Sequence, residues 1–169
     1  GKATGKLLLL KDGQVGVCSR NLDLTEDDTN AFWKMARHYD LPVRLPALEM
    51  NIAIQGELVG PGIQGNPQNL DKLDFYVFDI YDIDRQVYML PWERRLITSV
   101  LGLNHVPVID EKLSLSHLSH DELKDYILGL AEGTCVLTDR PREGIVFKSL
   151  EAAFSFKAIA NSYLLNEKS

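Results

Sequence analysis

The stretch NIAIQGEL, residues 51–58, places apolar and polar side chains alternately along the chain. Successive side chains of a β-strand point to opposite faces, so Ile52 and Ile54 fall on one face and Gln55 and Glu57 on the other. The pattern predicts a strand that has one face in a hydrophobic core and one polar face. Glu57 lies at the end of the polar face, just before a glycine-bearing loop.

A second strand is predicted over Asp74–Ile83, where the sequence DFYVFDIYDI is dense in aromatic and β-branched residues. This composition is typical of a central strand. The segment Gly60–Asn69 is rich in Gly, Pro, Asn and Gln and is predicted to be a loop.

A β-hairpin is predicted over Lys6–Ser19, because two strand-like runs flank Lys11-Asp12-Gly13 and glycine supplies the positive φ that such turns need. The remaining predicted elements are a short helix from Pro91, a helix over Ser119–Glu132, and strands over Thr134–Leu137, Gly144–Lys148 and Ser155–Ile159.

Apolar residues at helical spacing predict one more helix, over Asp28–Tyr39. Thr25 and Asp28 are expected to form its capping pair. Pro42 and Pro46 follow this helix. They are interpreted as breaks in regular structure within a second crossover connection.

The composition is that of one globular domain, with 169 residues, 45% hydrophobic and 25% charged. The apolar runs are far shorter than the roughly 20 residues that cross a bilayer, so a soluble protein with no membrane partner is expected. Cys18 and Cys135 lack metal-ligand spacing and no signal peptide opens the chain, which favours a cytoplasmic location. The four histidines match no motif and are expected in solvent-exposed or capping positions.

The formal net charge of −6 argues against a protein that binds nucleic acid over its whole surface. A nucleic-acid enzyme with this balance needs a local basic cleft or the help of another domain.

Three charged residues lie inside or beside core-like strands near the end of the chain: Glu143, Lys148 and Lys157. They indicate a site for a charged ligand, because an ammonium neutralises phosphate and a carboxylate holds a cation. Strand-end charges in solvent are the alternative. Alternation also puts Lys148 on the face opposite Glu143, so both reach one site only if the strand twists, bulges or ends there.

Five segments resemble, in order and spacing, the nucleotidyltransferase motifs of covalent ligases, most closely those of nick-sealing RNA ligases and their bacterial relatives. They are Cys18–Asn21, Gly56–Gln64, Phe75–Ile80, Glu143–Lys148 and Ser155–Lys157. The resemblance implies an α+β adenylation domain over residues 1–169, with two mainly antiparallel β-sheets packed together, flanking helices, and ATP in the cleft between the sheets.

The first three segments imply contacts with the nucleoside of ATP. Arg20 matches a residue that contacts the ribose, Glu57 one that binds the ribose hydroxyls, and Phe78 one that stacks on adenine. Core packing is an equal alternative for Phe78, because Tyr76 shares its face and Phe75 is available on the other.

The last two segments imply contacts with the phosphates and a metal ion. Glu143 is expected to bind Mg²⁺, and Lys148 and Lys157 are expected to bind the α-phosphate. Ser155 departs from the pattern, since the family often has a lysine there.

The implied activity is that of an ATP-dependent RNA ligase, which forms a lysyl-AMP intermediate, passes AMP to a 5′-phosphate end and then seals the strand. Its partners would be ATP or AMP and RNA with nicked or single-stranded ends, in RNA repair. One alternative is a non-catalytic module that binds nucleotide or nucleic acid with the same fold. A capping-type guanylyltransferase is another, which the motifs fit less well.

The nucleophile motif of the family, Lys-x-Asp-Gly, is absent. Lys2-Ala3-Thr4-Gly5 has threonine in place of aspartate and stands about two residues too close to the hairpin turn. Either Lys2 is a degenerate nucleophile or the lysine lies upstream, and the spacing favours the second. An OB-type domain at the N-terminus, in cis, is also expected from the resemblance.

Overall fold

The computed structural model describes residues 3–9, 14–19, 23–27, 29–63, 71–152 and 154–166. The chain divides into two units, Gly1–Val106 and Pro107–Ser169. Within the described residues each unit has one sheet, and the sheets are antiparallel apart from one short parallel strand pair. The predicted α+β class with two mainly antiparallel sheets and flanking helices is confirmed.

The first unit carries the larger sheet. Its strands are β1 (Ala3–Leu9), β2 (Val15–Ser19), β3 (Asp23–Leu24), β4 (Ile52–Val59), β5 (Asp74–Asp82), β6 (Val87–Tyr88) and β7 (Asn104–His105). The order in space is β3-β2-β1-β4-β5-β6, with β7 parallel to β5. The predicted strand pair at the start of the chain is confirmed as β1 and β2, although the turn residues 11–13 lie outside the described residues. The predicted central strand is β5, which pairs with three strands.

The hydrophobic core of this unit forms on the apolar face of β4. Ile52 and Ile54 are fully buried there, as are Phe75 and Val77 of β5. The unit has three helices in its described part: α1 (Ala31–His38), α2 (Leu41–Ala47) and α3 (Pro91–Val100). Residues of α1 and α2 join the same core cluster, so the helices cover the face that alternation predicted to be apolar.

Two predictions on the helices are corrected by the structure. Helix α1 is capped by Asn30, whose side-chain oxygen accepts hydrogen bonds from the amides of Phe32 and Trp33, and not by the predicted pair. The two prolines lie inside helix α2. Pro42 falls in the first turn, where no intrahelical donor is needed, and Pro46 falls in the last turn, where the helix lacks one hydrogen bond because proline has no amide hydrogen.

The second unit contains α4 (His120–Ala131), the strands β8 (Gly144–Lys148) and β9 (Ser155–Ile159), and α5 (Asn161–Asn166). The helix predicted over Ser119–Glu132 is α4, and Ser119 and Glu122 form a capping box at its start. The predicted strand over Thr134–Leu137 is wrong. Only an isolated bridge between Thr134 and Pro141 forms, because local turn hydrogen bonds, such as Cys135 N–H to the Arg140 carbonyl at 2.8 Å, close the segment on itself.

The turn between β5 and β6 is held by a buried carboxylate. Asp82, 7% exposed, accepts hydrogen bonds from the backbone amide of Arg85 at 3.0 Å and from its Nε at 2.8 Å. Arg85 Nη2 also donates to Glu93 at the start of α3, at 2.9 Å. Burial raises the pKa of Asp82, but the hydrogen bonds from Arg85 outweigh it and hold the pKa below its usual value.

Within the described ranges, no helix is both long enough and apolar enough to cross a lipid bilayer.

We expect Gly144→Ala to destabilise the second unit by about 1–3 kcal/mol, because a Cβ there would overlap the Ala158 carbonyl and approach the Cα of Ile159 to 2.9 Å. Gly129→Ala in α4 is the matched control, since a Cβ at Gly129 meets no atom within 4 Å. It should stabilise the helix by roughly 0.5–1 kcal/mol. Thermal unfolding measures the stability of both variants. Equal changes in stability for Gly144→Ala and Gly129→Ala would contradict the packing argument.

The lowered pKa of Asp82 predicts a loss of stability in acid. The folded state holds the carboxylate ionised, so its stabilisation is present above the unfolded pKa of about 4 and is lost as the pH falls through the lower folded value. Asp82→Asn should therefore cost on the order of 1 kcal/mol at pH 7 and show a shallower loss of stability below about pH 4. Urea unfolding at several pH values measures it, with Asp71→Asn, an exposed carboxylate in the same unit, as control. If the free energy of unfolding changed with pH in the same way for the unaltered protein and for Asp82→Asn, the link between Asp82 and acid stability would be contradicted.

Candidate functional site

The polar face of β4 and β5 carries the candidate nucleoside-binding residues of the first unit. Glu57 pairs with Tyr76 across the two strands, and both side chains are partly exposed. Gly56, the residue before Glu57, is buried, and a Cβ there would overlap the ring of Phe75 and approach the Tyr76 carbonyl to 2.5 Å. This glycine allows close packing of β5, and that packing fixes the strand position of Glu57.

Phe78 lies at a β-bulge. Gln55 pairs with Asp79 and Gly56 pairs with Val77, so Phe78 is an extra residue between two successive pairs. Such a residue interrupts the alternation of the strand. Phe78 and Asp79 are accordingly both partly exposed, whereas Val77 and Phe75 are fully buried. The sequence did not decide whether Phe75 or Phe78 packs in the core. In the structure Phe75 is buried there, and Phe78 is partly exposed.

A buried arginine adjoins the bulge. Arg94 of α3 is 5% exposed, and its Nη1 lies 3.8 Å from the Asp79 carboxylate. Arg94 Nε donates a hydrogen bond to His105 Nε2 at 3.0 Å. Burial lowers the pKa of the Arg94 guanidinium, and the Asp79 charge opposes that shift. His105 is half-buried and hydrogen-bonded, contrary to the expectation of a solvent-exposed or capping histidine.

The first residue of β5 is tied to α1 and β7 by a polar cluster. The Tyr39 hydroxyl donates to the Asp74 carboxylate, which also accepts from the amide of Phe75, and Asn104 Nδ2 donates to the Tyr39 hydroxyl oxygen at 3.0 Å. Burial, and then the hydrogen bond to Asp74, raise the pKa of Tyr39 well above its usual value. The hydroxyl therefore stays protonated and keeps its role as donor at neutral pH.

In the second unit, the β8–β9 pair brings the two candidate phosphate lysines onto one face. Lys148 pairs with Ser155, and Lys157 pairs with Val146. Paired residues share a face of an antiparallel ladder, and so do residues two apart on one strand. Lys148 is partly exposed and Lys157 is exposed. The structure thus brings the two ammonium groups to the same side of the hairpin.

Glu143 directly precedes β8, because the strand begins at Gly144. Glu143 therefore stands at the end of the strand, where strict alternation no longer fixes the direction of its side chain. The backbone of Glu143 is nevertheless fixed, since its carbonyl accepts from the amide of the buried Ala160 at 2.8 Å. Its side chain is partly exposed.

Arg142 anchors the segment that carries Glu143. Its Nη2 donates to the carbonyls of Leu130 and of Glu132, the latter at 2.6 Å, and its Nε donates to the Ala131 carbonyl at 3.2 Å. These carbonyls end α4 and have no intrahelical partner, so a cation there is favourable. Gly133, at φ +128°, leaves room for the guanidinium.

The described residues contain no cluster of three or more His, Cys, Asp or Glu side chains that could hold a metal ion. A single carboxylate such as Glu143 suits Mg²⁺, which is commonly bound by one or two carboxylates together with substrate phosphates and water. Lys2 and Arg20 lie outside the described residues, as does Gln64 at the end of the second motif.

Sequence reasoning missed Arg94, His105 and Tyr39. Arg94 had a detectable signal, because it stands at helical spacing from Ile97 and Leu101, two apolar residues of the core. Tyr39 had none, since its partners Asp74 and Asn104 are far away in the sequence. His105 had none because its side-chain partner Arg94 lies in a different element.

Comparison with known proteins places this geometry in a family. A family model described as RNA ligase matches residues 4–159. No curated protein sequence was found that matches the chain.

Several solved structures of Naegleria gruberi RNA ligase are similar to the chain. An arginine-to-alanine mutant with ATP and Mn has a TM-score of 0.87 at 41% identity, covering 99% of this chain and 49% of that one. The RNA ligase with PPi has a TM-score of 0.84 at 40% identity, covering 99% and 52%. A lysine-to-methionine mutant with AMP and Mn has a TM-score of 0.82 at 40% identity, again covering 99% and 52%.

The chain therefore spans about half the length of these relatives. The family match extends over most of this chain. On this evidence the chain belongs to the RNA ligase family.

Proposed function

We propose that this chain is the adenylation portion of an ATP-dependent RNA ligase that works with Mg²⁺. The observation that carries the proposal is the 41% identity, over 99% of this chain, to a ligase described with ATP and Mn. Related structures are described with AMP and Mn and with PPi. AMP and PPi are the two parts into which adenylyl transfer divides ATP, so the three descriptions together fit one nucleotide site.

The first unit supplies the nucleoside contacts in this proposal. Phe78 stacks on adenine with the part of its ring that the bulge leaves accessible. Glu57, on the polar face of β4, accepts hydrogen bonds from the ribose hydroxyls, and Arg20 contacts the ribose.

The second unit supplies the charges for the phosphates and the metal. Lys148 and Lys157 share one face of the β8–β9 pair and neutralise the α-phosphate. Glu143 contributes a carboxylate to Mg²⁺, with phosphate oxygens and water as the other ligands. When bound, the metal stabilises negative charge that develops on the phosphates.

The chemistry begins with a lysine, either Lys2 or a residue upstream. Its neutral amine attacks the α-phosphorus, an N–P bond forms, and the bond to the leaving pyrophosphate breaks. A free lysine has a pKa of about 10.4, and neighbouring cations favour its neutral form. Lys148 and Lys157 do not serve as nucleophile, because a lysine that neutralises phosphate is protonated and has no free electron pair.

The later steps concern the whole protein. AMP passes from the lysine to a 5′-phosphate, and a 3′-hydroxyl of RNA then displaces AMP and seals the strand. The net charge of −6 implies that RNA is held by a local basic surface or by another domain. The OB-type domain, the nicked or single-stranded RNA substrate, the role in repair and the cytoplasmic location stay predictions.

We expect the chain to bind ATP with Mg²⁺ and Lys157→Met to weaken that binding about tenfold or more, because a charge-assisted contact to phosphate contributes about 1.5–3 kcal/mol. Lys157 is exposed, so the change should leave folding intact. Calorimetric titration measures the affinity. Lys112→Met, which removes an equal charge from an exposed position of the same unit, is the control. Equal affinity for the two variants would argue against Lys157 as a phosphate ligand.

Covalent transfer separates the ligase from a non-catalytic module. The chain is incubated with Mg²⁺ and ATP labelled at the α-phosphate, denatured and mapped by mass spectrometry. AMP on Lys2 would assign that residue as the nucleophile, and Glu143→Gln should reduce the labelling by about 10²-fold or more, as expected when a preorganised charge is removed. ATP binding without label on this chain, beside label on a longer form that extends upstream, would place the nucleophile upstream. Absence of label on both would favour the non-catalytic module.

A further inference from the structure

Arg94 is a charged side chain in a place where an apolar one would be easier to bury. It is 5% exposed in α3, one turn before Ile97, which packs against the core. Taking a guanidinium out of water is costly, and its carboxylate partner Asp79 lies at 3.8 Å, too far for a close bidentate pair. Stability alone therefore gives a poor account of this arginine.

The second partner of Arg94 is a neutral histidine. Arg94 Nε–H donates to His105 Nε2, so that nitrogen carries no proton. His105 Nδ1, 2.6 Å from the carbonyl of Val106, is then the protonated nitrogen and donates to that carbonyl. The imidazole thus connects the guanidinium to the backbone just after β7, and β7 is itself paired with β5.

These contacts converge on the bulge of β5. Asp79 is adjacent to Phe78, the residue at which the register of β4 and β5 shifts. A bulge lacks the regular ladder that fixes other strand residues. Here Arg94 of α3 contacts Asp79, while β7 pairs with Tyr76 and Val77. Arg94 and His105 are joined by their hydrogen bond, so both elements meet β5 at or next to the bulge from outside the β4–β5 ladder.

We propose that Arg94 is a positioning residue that holds the Phe78–Asp79 bulge through the Asp79 carboxylate and so sets the orientation of the Phe78 ring toward adenine. The last part rests on the proposed function. Arg94 does not touch the nucleotide in this proposal. His105 supports it by holding the guanidinium plane with a neutral nitrogen.

The effect on the bulge is tested without nucleotide, by residue-resolved amide hydrogen exchange in the protein, Arg94→Met and Asp79→Asn. We expect exchange over residues 77–80 to rise by about tenfold or more in both variants, with little change at Ile54 in β4. Asp79→Asn keeps the shape of a partly exposed side chain, so it remains informative if Arg94→Met fails to fold. Arg95→Met, which removes an equal charge from the exposed next position, is the control. Unchanged exchange at the bulge in Asp79→Asn would overturn the proposal.

The effect on adenine is tested by comparing the dissociation constants of ATP and of inorganic tripolyphosphate, well below the unfolding temperature of each variant. Positioning of Phe78 predicts that Asp79→Asn and Arg94→Met weaken ATP about tenfold and tripolyphosphate by less than about twofold, because only ATP has a base to stack. Arg94→Lys, which keeps the charge but not the planar fork, should fall between. Equal losses of affinity for ATP and for tripolyphosphate would overturn the proposal that Arg94 orients the Phe78 ring toward adenine. If the unaltered protein binds no ATP, the proposed function fails, and the exchange measurement still decides whether Arg94 holds the bulge.

Discussion

The pairing of β4 with β5 is the constraint on which the first unit depends. The ladder runs from Ile52 opposite Asp82 to Val59 opposite Asp74. Its buried face holds much of the hydrophobic core, and a slip of one residue would turn the apolar set of β4 toward the polar side. The strands come so close that only glycine fits at Gly56. Core, register and the position of Glu57 therefore depend on the same contact.

The second unit repeats this arrangement with fewer strands. Gly144 is held against the backbone of β9 as Gly56 is held against β5. In each unit the glycine adjoins a carboxylate, Glu57 or Glu143, that we propose as a ligand of the nucleotide or its metal. A residue next to such a glycine sits on a backbone that has little freedom to shift, which suits a group that must meet a ligand at a fixed distance.

Arginines support the candidate residues by two different physical means. Arg142 donates to carbonyls at the end of α4, where the helix dipole favours a cation. Arg94 is enclosed and depends on Asp79 and on a neutral His105. The first arrangement gains stability from groups that would otherwise lack a partner. The second is costly, and its position beside the Phe78 bulge is the reason to look for a role beyond stability.

The sequence by itself determined the elements whose signals are local and the order of the ligase motifs along the chain. Alternation in β4, the helical spacing of apolar residues in α1 and five ordered motifs are all read from neighbouring residues. Only the tertiary structure decided the bulge at Phe78, the common face of Lys148 and Lys157, and the contact of Arg94 with Asp79, because each depends on the register or packing of separate elements. The strand predicted over residues 134–137 was wrong for the same reason: a strand needs a partner along its length, and here only one bridge forms.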